Sequence, residues 1–201
     1  MSPRRSKAEA ATTHDAIVRE AAEGASEIGL EGISIGSLAT ALGMSKAGVA
    51  GHFRSKRELQ LEVVEFGAKD FTEKVWGPNA DLKPGRERLL GCLDTWYSYS
   101  AGSPFRGGCL MTSISTEFDG RPGPVREAIA ESWGRWTTIL ESDLEAGIEN
   151  GELSPPLAPA DTVTAIESLA SGVNQQTQLY SKPNPEKTAS AAARVLLGIL
   201  A

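Results

Sequence analysis

Apolar residues return at helical spacing along most of the chain, and no stretch shows the strict apolar/polar alternation of a strand. Ile17, Ala21, Ala25 and Ile28 lie on one face of a first helix, with Thr12-Thr13-His14-Asp15 offering a cap at its start. Ile35, Leu38, Ala39 and Leu42 mark a second, short helix behind the hydroxyl of Ser34. Gly43 ends it, since glycine enters the left-handed conformation without steric cost. Ser45 then caps a third helix reaching about His52. Ser55-Lys56-Arg57-Glu58 has the S-x-x-E spacing of a capping box, so a fourth helix begins at Lys56. Leu59, Val63 and Phe66 carry it toward Val75.

The remainder is also helical by pattern, with breaks at Gly77-Pro78, Lys83-Pro84-Gly85, Gly102-Ser103-Pro104, residues 120–124 and Ser154-Pro155-Pro156. Val125, Ile129, Trp133, Trp136, Leu140, Leu144 and Ile148 form a stripe on one long helix that ends near Asn150-Gly151. Val163, Ile166, Ala170, Val173, Thr177 and Tyr180 repeat at alternating three and four, and Ala189, Ala193, Leu196 and Leu200 do the same. The expected fold class is all-α.

Two short helices joined by a tight turn containing glycine make a helix-turn-helix, whose second helix enters a DNA major groove. Val49 and Phe53, four residues apart, anchor that helix, and Ser45, Lys46, Ala47, Gly48 and His52 are left for DNA. Gly48 and Gly51 each cost about 1 kcal/mol of helix propensity, which close approach to a backbone would justify. Lys56 and Arg57 oppose the dipole of the helix they open, unless an anion such as a DNA phosphate sits there. A solvated basic face is the competing explanation of these charges.

The net charge of −6 argues against a DNA-binding protein until it is divided along the chain. The first 60 residues hold eight basic and seven acidic side chains, the rest twelve and nineteen. Between Ser45 and Arg57 stand Lys46, Arg54, Lys56 and Arg57 with no acidic residue, a local patch able to attract phosphate. Arg4, Arg5 and Lys7 form a basic tail, either a minor-groove arm or a frayed end.

These residues carry a resemblance. Ala21 and Ala22, Gly29, Gly32 and Ser34, Leu38-Ala39, Gly43-Met44-Ser45, Gly48 and His52-Phe53-x-Ser55-Lys56-x-x-Leu59 together resemble the DNA-binding domain of the TetR family of bacterial transcriptional regulators, over Thr13 to Leu59. Where most members carry a tyrosine before x-His-Phe, this chain has Ala50. The resemblance implies phosphate contacts from Lys56 and Ser34 and base-edge or groove contacts from Lys46 and Ala47. With the patch residues, the expected DNA-contacting set is Ser34, Ser45, Lys46, Ala47, Gly48, His52, Arg54 and Lys56. It also implies a basic arm over 1–12, a helix-turn-helix domain over 13–67 and an effector-binding and dimerisation domain over 68–201.

Small residues in the last two helices permit close helix approach, so Val163, Ile166, Ala170, Val173, Ala189, Ala193 and Leu196 are the expected dimer interface, the alternative being that these helices complete the core of a single subunit. An effector pocket is implied by the family; Trp96, Tyr97, Phe105, Met111, Trp133 and Trp136 are its candidate walls, and Ser115, Asn174, Gln175 and Gln178 its candidate polar groups. Two tryptophans on one stripe are more often core than ligand cage. Residues 107–126 resemble a stretch of one TetR subgroup and suggest a rigid corner, with Glu117, Asp119, Arg121 and Arg126 able to pair across it.

Other classes receive little support. The only histidines, His14 and His52, lie in the DNA-binding part, and no zinc, Walker A or nucleophile-elbow motif occurs, so neither catalysis nor a cofactor is expected. Cys92 and Cys109 have no metal-site spacing. No apolar run approaches the roughly 18 residues of a membrane span, and the start is polar and basic, so a cytoplasmic protein is expected. The reading is a ligand-responsive regulator, a repressor, binding double-stranded palindromic operator DNA as a homodimer and released by an unknown small molecule. The alternative is a DNA-binding regulator without an effector, controlled by a protein partner or by abundance.

Overall fold

The computed structural model describes residues 7–199. Among these are nine α-helices: α1 (Lys7–Ile28), α2 (Ile35–Ala41), α3 (Lys46–Ala50), α4 (Lys56–Phe71), α5 (Arg86–Ala101), α6 (Leu110–Phe118), α7 (Pro124–Glu149), α8 (Pro159–Gln178) and α9 (Pro185–Leu196). A π-helical turn over Thr72–Trp76 and a 3₁₀ turn over Gly77–Asn79 extend α4. No strand occurs among the described residues, as the all-α expectation required. Proline opens α7, α8 and α9, at the position where its missing N–H has no intrahelical partner to lose.

The start of the first helix differs from expectation. Helix α1 begins at Lys7, and Thr13 lies within it, its hydroxyl donating to the Glu9 carbonyl at 2.8 Å. Ala8, Glu9, Ala10 and Ala11 are strong helix formers, and Glu9 suits the positive end of the dipole, so no cap at Thr12-Thr13 is needed. A flexible arm over 1–12 is therefore corrected from Lys7 onward; Arg4 and Arg5 lie outside the described residues, as does Leu200.

The chain packs as two compact units. The first holds the described residues up to Ala68 together with Phe105–Ile129; the second holds Lys69–Pro104 and Ala130 onward. A single cut near residue 67 thus misses the return of 105–129 to the first unit. Helices α4 and α7 each supply residues to both.

In the first unit, Ile17, Ala21, Ala25, Leu30, Leu38, Val49, Leu59 and Val63 are buried. Ile28 is not on this face, being 63% exposed: α1 stops there and Leu30 and Ile33 turn inward instead. Helix α6 packs on α1, and polar contacts fasten its flanks. Arg106 pairs with Glu20 and Glu27 at 3.0 Å each, its N–H donates to Glu23, and the Gly107 N–H donates to Ser26 Oγ at 2.9 Å. Glu117 accepts from the N–H groups of Leu30 and Glu31 at 2.6 and 3.0 Å, closing the turn between α1 and α2.

In the second unit, α5, α8 and α9 pack on one another. The core joins Phe71, Trp96, Tyr97, Trp136, Leu140 and Leu144 to Val163, Ile166, Ala170, Val173, Ala189, Ala193 and Leu197. Of the stripe on α7, Trp136, Leu140 and Leu144 face this core with Trp133 and Ile148 half-buried against it, while Val125 and Ile129 are buried in the first unit. Arg88 grips fully buried Asp143 through two nitrogens, at 2.9 and 2.5 Å, and lies 5.0 Å over the Trp76 ring.

Candidate DNA-recognition site

Ser34 caps α2 by accepting from the Ser37 N–H at 3.0 Å, and Ser37 Oγ accepts in return from the Ser34 N–H at 3.2 Å. That reciprocal box had no Glu or Gln to announce it. Gly43 follows the helix with φ 62°, the left-handed value its glycine allows, and the Met44 N–H reaches back to the Ala39 carbonyl at 2.9 Å. Ser45 then caps α3 by accepting from the Gly48 N–H at 3.0 Å. Helix α3 is one turn and a half, ending at Ala50 with Gly51 as its cap, short of the expected His52.

Val49 is fully buried and Phe53 nearly so, the Phe53 ring lying 5.0 Å from that of His14 on α1. These anchors leave Ser45, Lys46, Ala47 and Ala50 exposed, with Gly48 and His52 half-buried. Ser34, Arg54, Lys56 and Arg57 are also exposed. The expected DNA-contacting residues thus lie at the N-caps of α2 and α3, on α3, in the turn that follows it and at the start of α4.

Its electrostatics are weaker than the sequence count suggests. Lys56 Nζ donates to the Glu31 carbonyl at 2.5 Å and to its carboxylate at 3.0 Å, and Gln60 donates to the same carboxylate at 2.9 Å. Hydrogen bonds from Gln60 and then Lys56 hold the Glu31 carboxyl below its ordinary pKa. Arg54 is bound by Glu58, whose carboxylate also accepts from the Arg54 N–H. Ser55 accepts from the Glu58 N–H at 3.2 Å, but Glu58 turns to Arg54 rather than to the Ser55 backbone, so only half the expected capping box forms. Lys46 and Arg57 remain without an ion pair among the described residues. A phosphate approaching Lys56 has to displace Glu31.

The pocket residues expected from the sequence are divided. Phe105, Met111 and Ser115 belong to the first unit, and Trp96, Trp133, Trp136, Asn174 and Gln178 to the second. Phe105 and Met111 are buried, and Phe105 meets Phe66 edge-on at 6.3 Å. Gln178 is exposed and donates to Ser103 Oγ at 2.6 Å. Trp96, Trp133 and Trp136 do come together around Phe71, with ring centroids 5.1–5.7 Å apart.

The expected dimer residues are corrected by burial. Val163, Ile166, Ala170, Val173, Ala189 and Ala193 are 5% exposed or less within one subunit, and Leu196 packs half-buried against the same core. Their periodicity marks the face turned to their own core. The outward face carries Thr164, Ser168, Ser171 and Gln175 on α8 and Thr188, Ala191 and Val195 on α9. Neither Glu117 as the acceptor of the α1–α2 turn nor Arg106 as a clamp on α1 was visible beforehand, since their partners lie about 80 residues away.

A short helix capped by serine, anchored by two apolar side chains and exposing small and basic residues defines a DNA-binding helix-turn-helix protein. Residues 17–63 match the model of bacterial regulatory proteins of the tetR family, and residues 85–193 match the tetracyclin repressor-like C-terminal domain. The chain belongs to the TetR family of transcriptional regulators.

Solved structures share the fold. A TetR transcriptional regulator from Chloroflexus aurantiacus J-10-FL superposes with a TM-score of 0.84 at 23% identity, covering 94% of this chain and 95% of that one. AibR, in complex with isovaleryl coenzyme A and operator DNA, gives 0.77 at 22%, covering 92% and 97%. The reduced form of E. coli NemR gives 0.75 at 20%, covering 94% and 99%. No curated protein matches the sequence. Among the described residues, no helix is long and apolar enough to cross a membrane, and no group of three or more His, Cys, Asp or Glu is placed to hold a metal ion.

Proposed function

We propose that the chain is a non-enzymatic, ligand-responsive repressor that binds a palindromic operator as a homodimer in the cytoplasm and is released by a small molecule. The observation that carries this reading is the exposed face of α3, where Ser45, Lys46 and Ala47 stand clear of the first unit while Val49 and Phe53 hold the helix in place. Lys46 and Ala47 address base edges; Ser34, Arg54 and Lys56 address phosphates, which position the module without reading sequence. Ser45 and Gly48 let α3 approach closely, and half-buried His52 borders the groove.

One such module makes a small interface, and a two-fold dimer doubles it while selecting symmetric half-sites. The outward face of α8 and α9 supports that assembly: it is small and weakly polar, a Cβ added at Gly172 meets open space, and Val195 is 67% exposed. The pairing face is thus the reverse of the buried stripe. AibR is a relative in fold seen with both a coenzyme A thioester and operator DNA, which supports ligand control here.

Coupling runs through α4 and α7, the helices that supply residues to both units. An effector that favours a half-site spacing misfitted to the operator weakens DNA binding, and linkage requires operator DNA to weaken effector binding by the same factor. Selection of genomic fragments with the purified protein, followed by footprinting, tests the reading. A protected palindrome with half-sites one or two turns apart supports it. No enrichment at low salt removes it.

A further inference from the structure

The second unit buries polar atoms for which it provides no partner. Trp96 Nε1 and Trp136 Nε1 are sealed from solvent and unbonded, and so are Ser100 Oγ and Thr177 Oγ1. Trp96 and Trp136 face each other edge-on at 5.6 Å, Ser100 lies one turn after Trp96 on α5, and Thr177 lies one turn after the core residue Val173 on α8. Buried polar groups are nearly always paired in folded proteins, and each exception asks for an explanation. Arg88, by contrast, is fully engaged by Asp143, and Tyr97 donates to the Ile166 carbonyl, so this unit satisfies its other buried polar groups well.

The chemistry of the orphans is one-sided. An indole N–H donates and cannot accept, so two of the four atoms call for acceptors, and the hydroxyls can supply or take a further hydrogen bond. The two indoles sit in an aromatic cluster with Phe71 and Trp133. Among the described residues, Arg88 is committed to Asp143 and Arg194 to Asp94. Burial raises both the Glu167 carboxyl and the Cys92 thiol, the latter to about 12, as expected of surroundings that disfavour charge.

We infer that the effector of this core is an uncharged, largely apolar molecule bearing at least one acceptor oxygen, taken between Trp96 and Trp136 and held by their two indole N–H groups. The inference rests on the ligand-responsive reading and narrows it to an acceptor chemistry. Because the rings are in mutual contact, a guest between them parts α5 from α7. Helix α7 begins in the first unit, so a signal starts at the same step as binding.

Matched probes test this on the full chain by equilibrium dialysis: fluorenone against fluorene, benzophenone against diphenylmethane, and fluorene-9-carboxylate as the anionic counterpart. The ketone of at least one pair is expected to bind at least tenfold tighter than its hydrocarbon, and the carboxylate to bind more weakly than either. Trp96→Phe and Trp136→Phe keep a ring and remove the donor. Each is expected to lower the ratio of ketone to hydrocarbon affinity at least threefold, a ratio read within each folded variant. If buried water alone serves the orphan atoms, ketone and hydrocarbon bind equally, which overturns the acceptor assignment and leaves ligand response standing. A ketone preference that survives both substitutions also overturns it. If no probe binds, the assignment falls, and the ligand-responsive reading is judged separately by thermal shift against a metabolite library.

Discussion

Around α3, polar groups lie at the surface and are satisfied by their nearest neighbours in sequence, as Ser34 by Ser37 and Ser45 by Gly48. In the second unit, four buried polar atoms, on Trp96, Trp136, Ser100 and Thr177, have no partner within it. The first arrangement presents a finished surface to a partner that arrives from outside. The second holds unmet hydrogen-bonding capacity inside an apolar shell, where a bound molecule gains most from supplying it. The difference separates a satisfied surface from an unsatisfied interior, and the two regions respond differently to substitution.

The largest expected effect lies in the second unit. Asp143 is fully buried and its partner Arg88 nearly so, and removing one member of such a pair strands the other charge, at a cost of about 3–5 kcal/mol. Asp143→Ala is therefore expected to unfold the second unit at much lower urea. Arg54→Ala, which removes an equally well-formed pair at a 91% exposed side chain, is expected to leave the unfolding midpoint unchanged. Equal sensitivity of the two variants in urea melts would erase the contrast between the regions.

Next in size is the cap of α3. Ser45→Ala removes the acceptor for the Gly48 N–H, a loss of about 1 kcal/mol. In a helix of five residues that loss is concentrated on the reading surface. DNA affinity is expected to fall further than global stability does, with Ser45→Asp restoring the cap but not the affinity, because its charge meets phosphate. Anisotropy with duplex DNA, read beside thermal melts, separates the two quantities.

These contrasts also explain what the sequence disclosed. Caps, the Gly43 turn and the anchors Val49 and Phe53 act over four residues or fewer, so their spacing reveals them. The stripes on α7 and α8 were visible as faces, but periodicity says that a face is buried and not by what. Val163, Ile166, Ala170 and Val173 were therefore assigned to a partner subunit when they belong to their own core. The contacts that alter the site's charge, Lys56 with Glu31 and Glu117 with the Leu30 N–H, join residues 25 and 87 positions apart, and no local pattern encodes them. Pocket candidates chosen by residue type fell into both units for the same reason.

A smaller effect follows from Glu31. On the proposed phosphate role of Lys56 it competes with DNA for that side chain, so Glu31→Gln, which keeps an acceptor and removes the charge, is expected to tighten binding to random-sequence duplex DNA without making the salt dependence shallower. Lys56→Ala is expected to weaken binding and reduce the slope of log affinity against log salt by about 0.9 for each phosphate it leaves without a neutralising charge. If Glu31→Gln binds no tighter although Lys56→Ala shows the reduced slope, the ion pair is not in competition with DNA.

The smallest effect is a pH dependence, and its direction follows from the same carboxylate. Glu31 is held below its ordinary pKa in the folded chain by Gln60 and Lys56. Its favourable contribution is therefore present above the unfolded pKa and fades as pH falls through the folded one. The group is about half exposed, which makes the contribution small. Glu31→Gln should lower stability slightly near neutrality, where the contribution is fully present, and flatten the further loss below about pH 5. As Glu31 protonates it also releases Lys56, so the DNA affinity of the unsubstituted protein, measured at constant ionic strength, should approach that of Glu31→Gln at the acid end. Parallel affinity curves for the two proteins across that range would mean that Lys56 is not restrained by the Glu31 charge, leaving the bond to the Glu31 carbonyl as its tether.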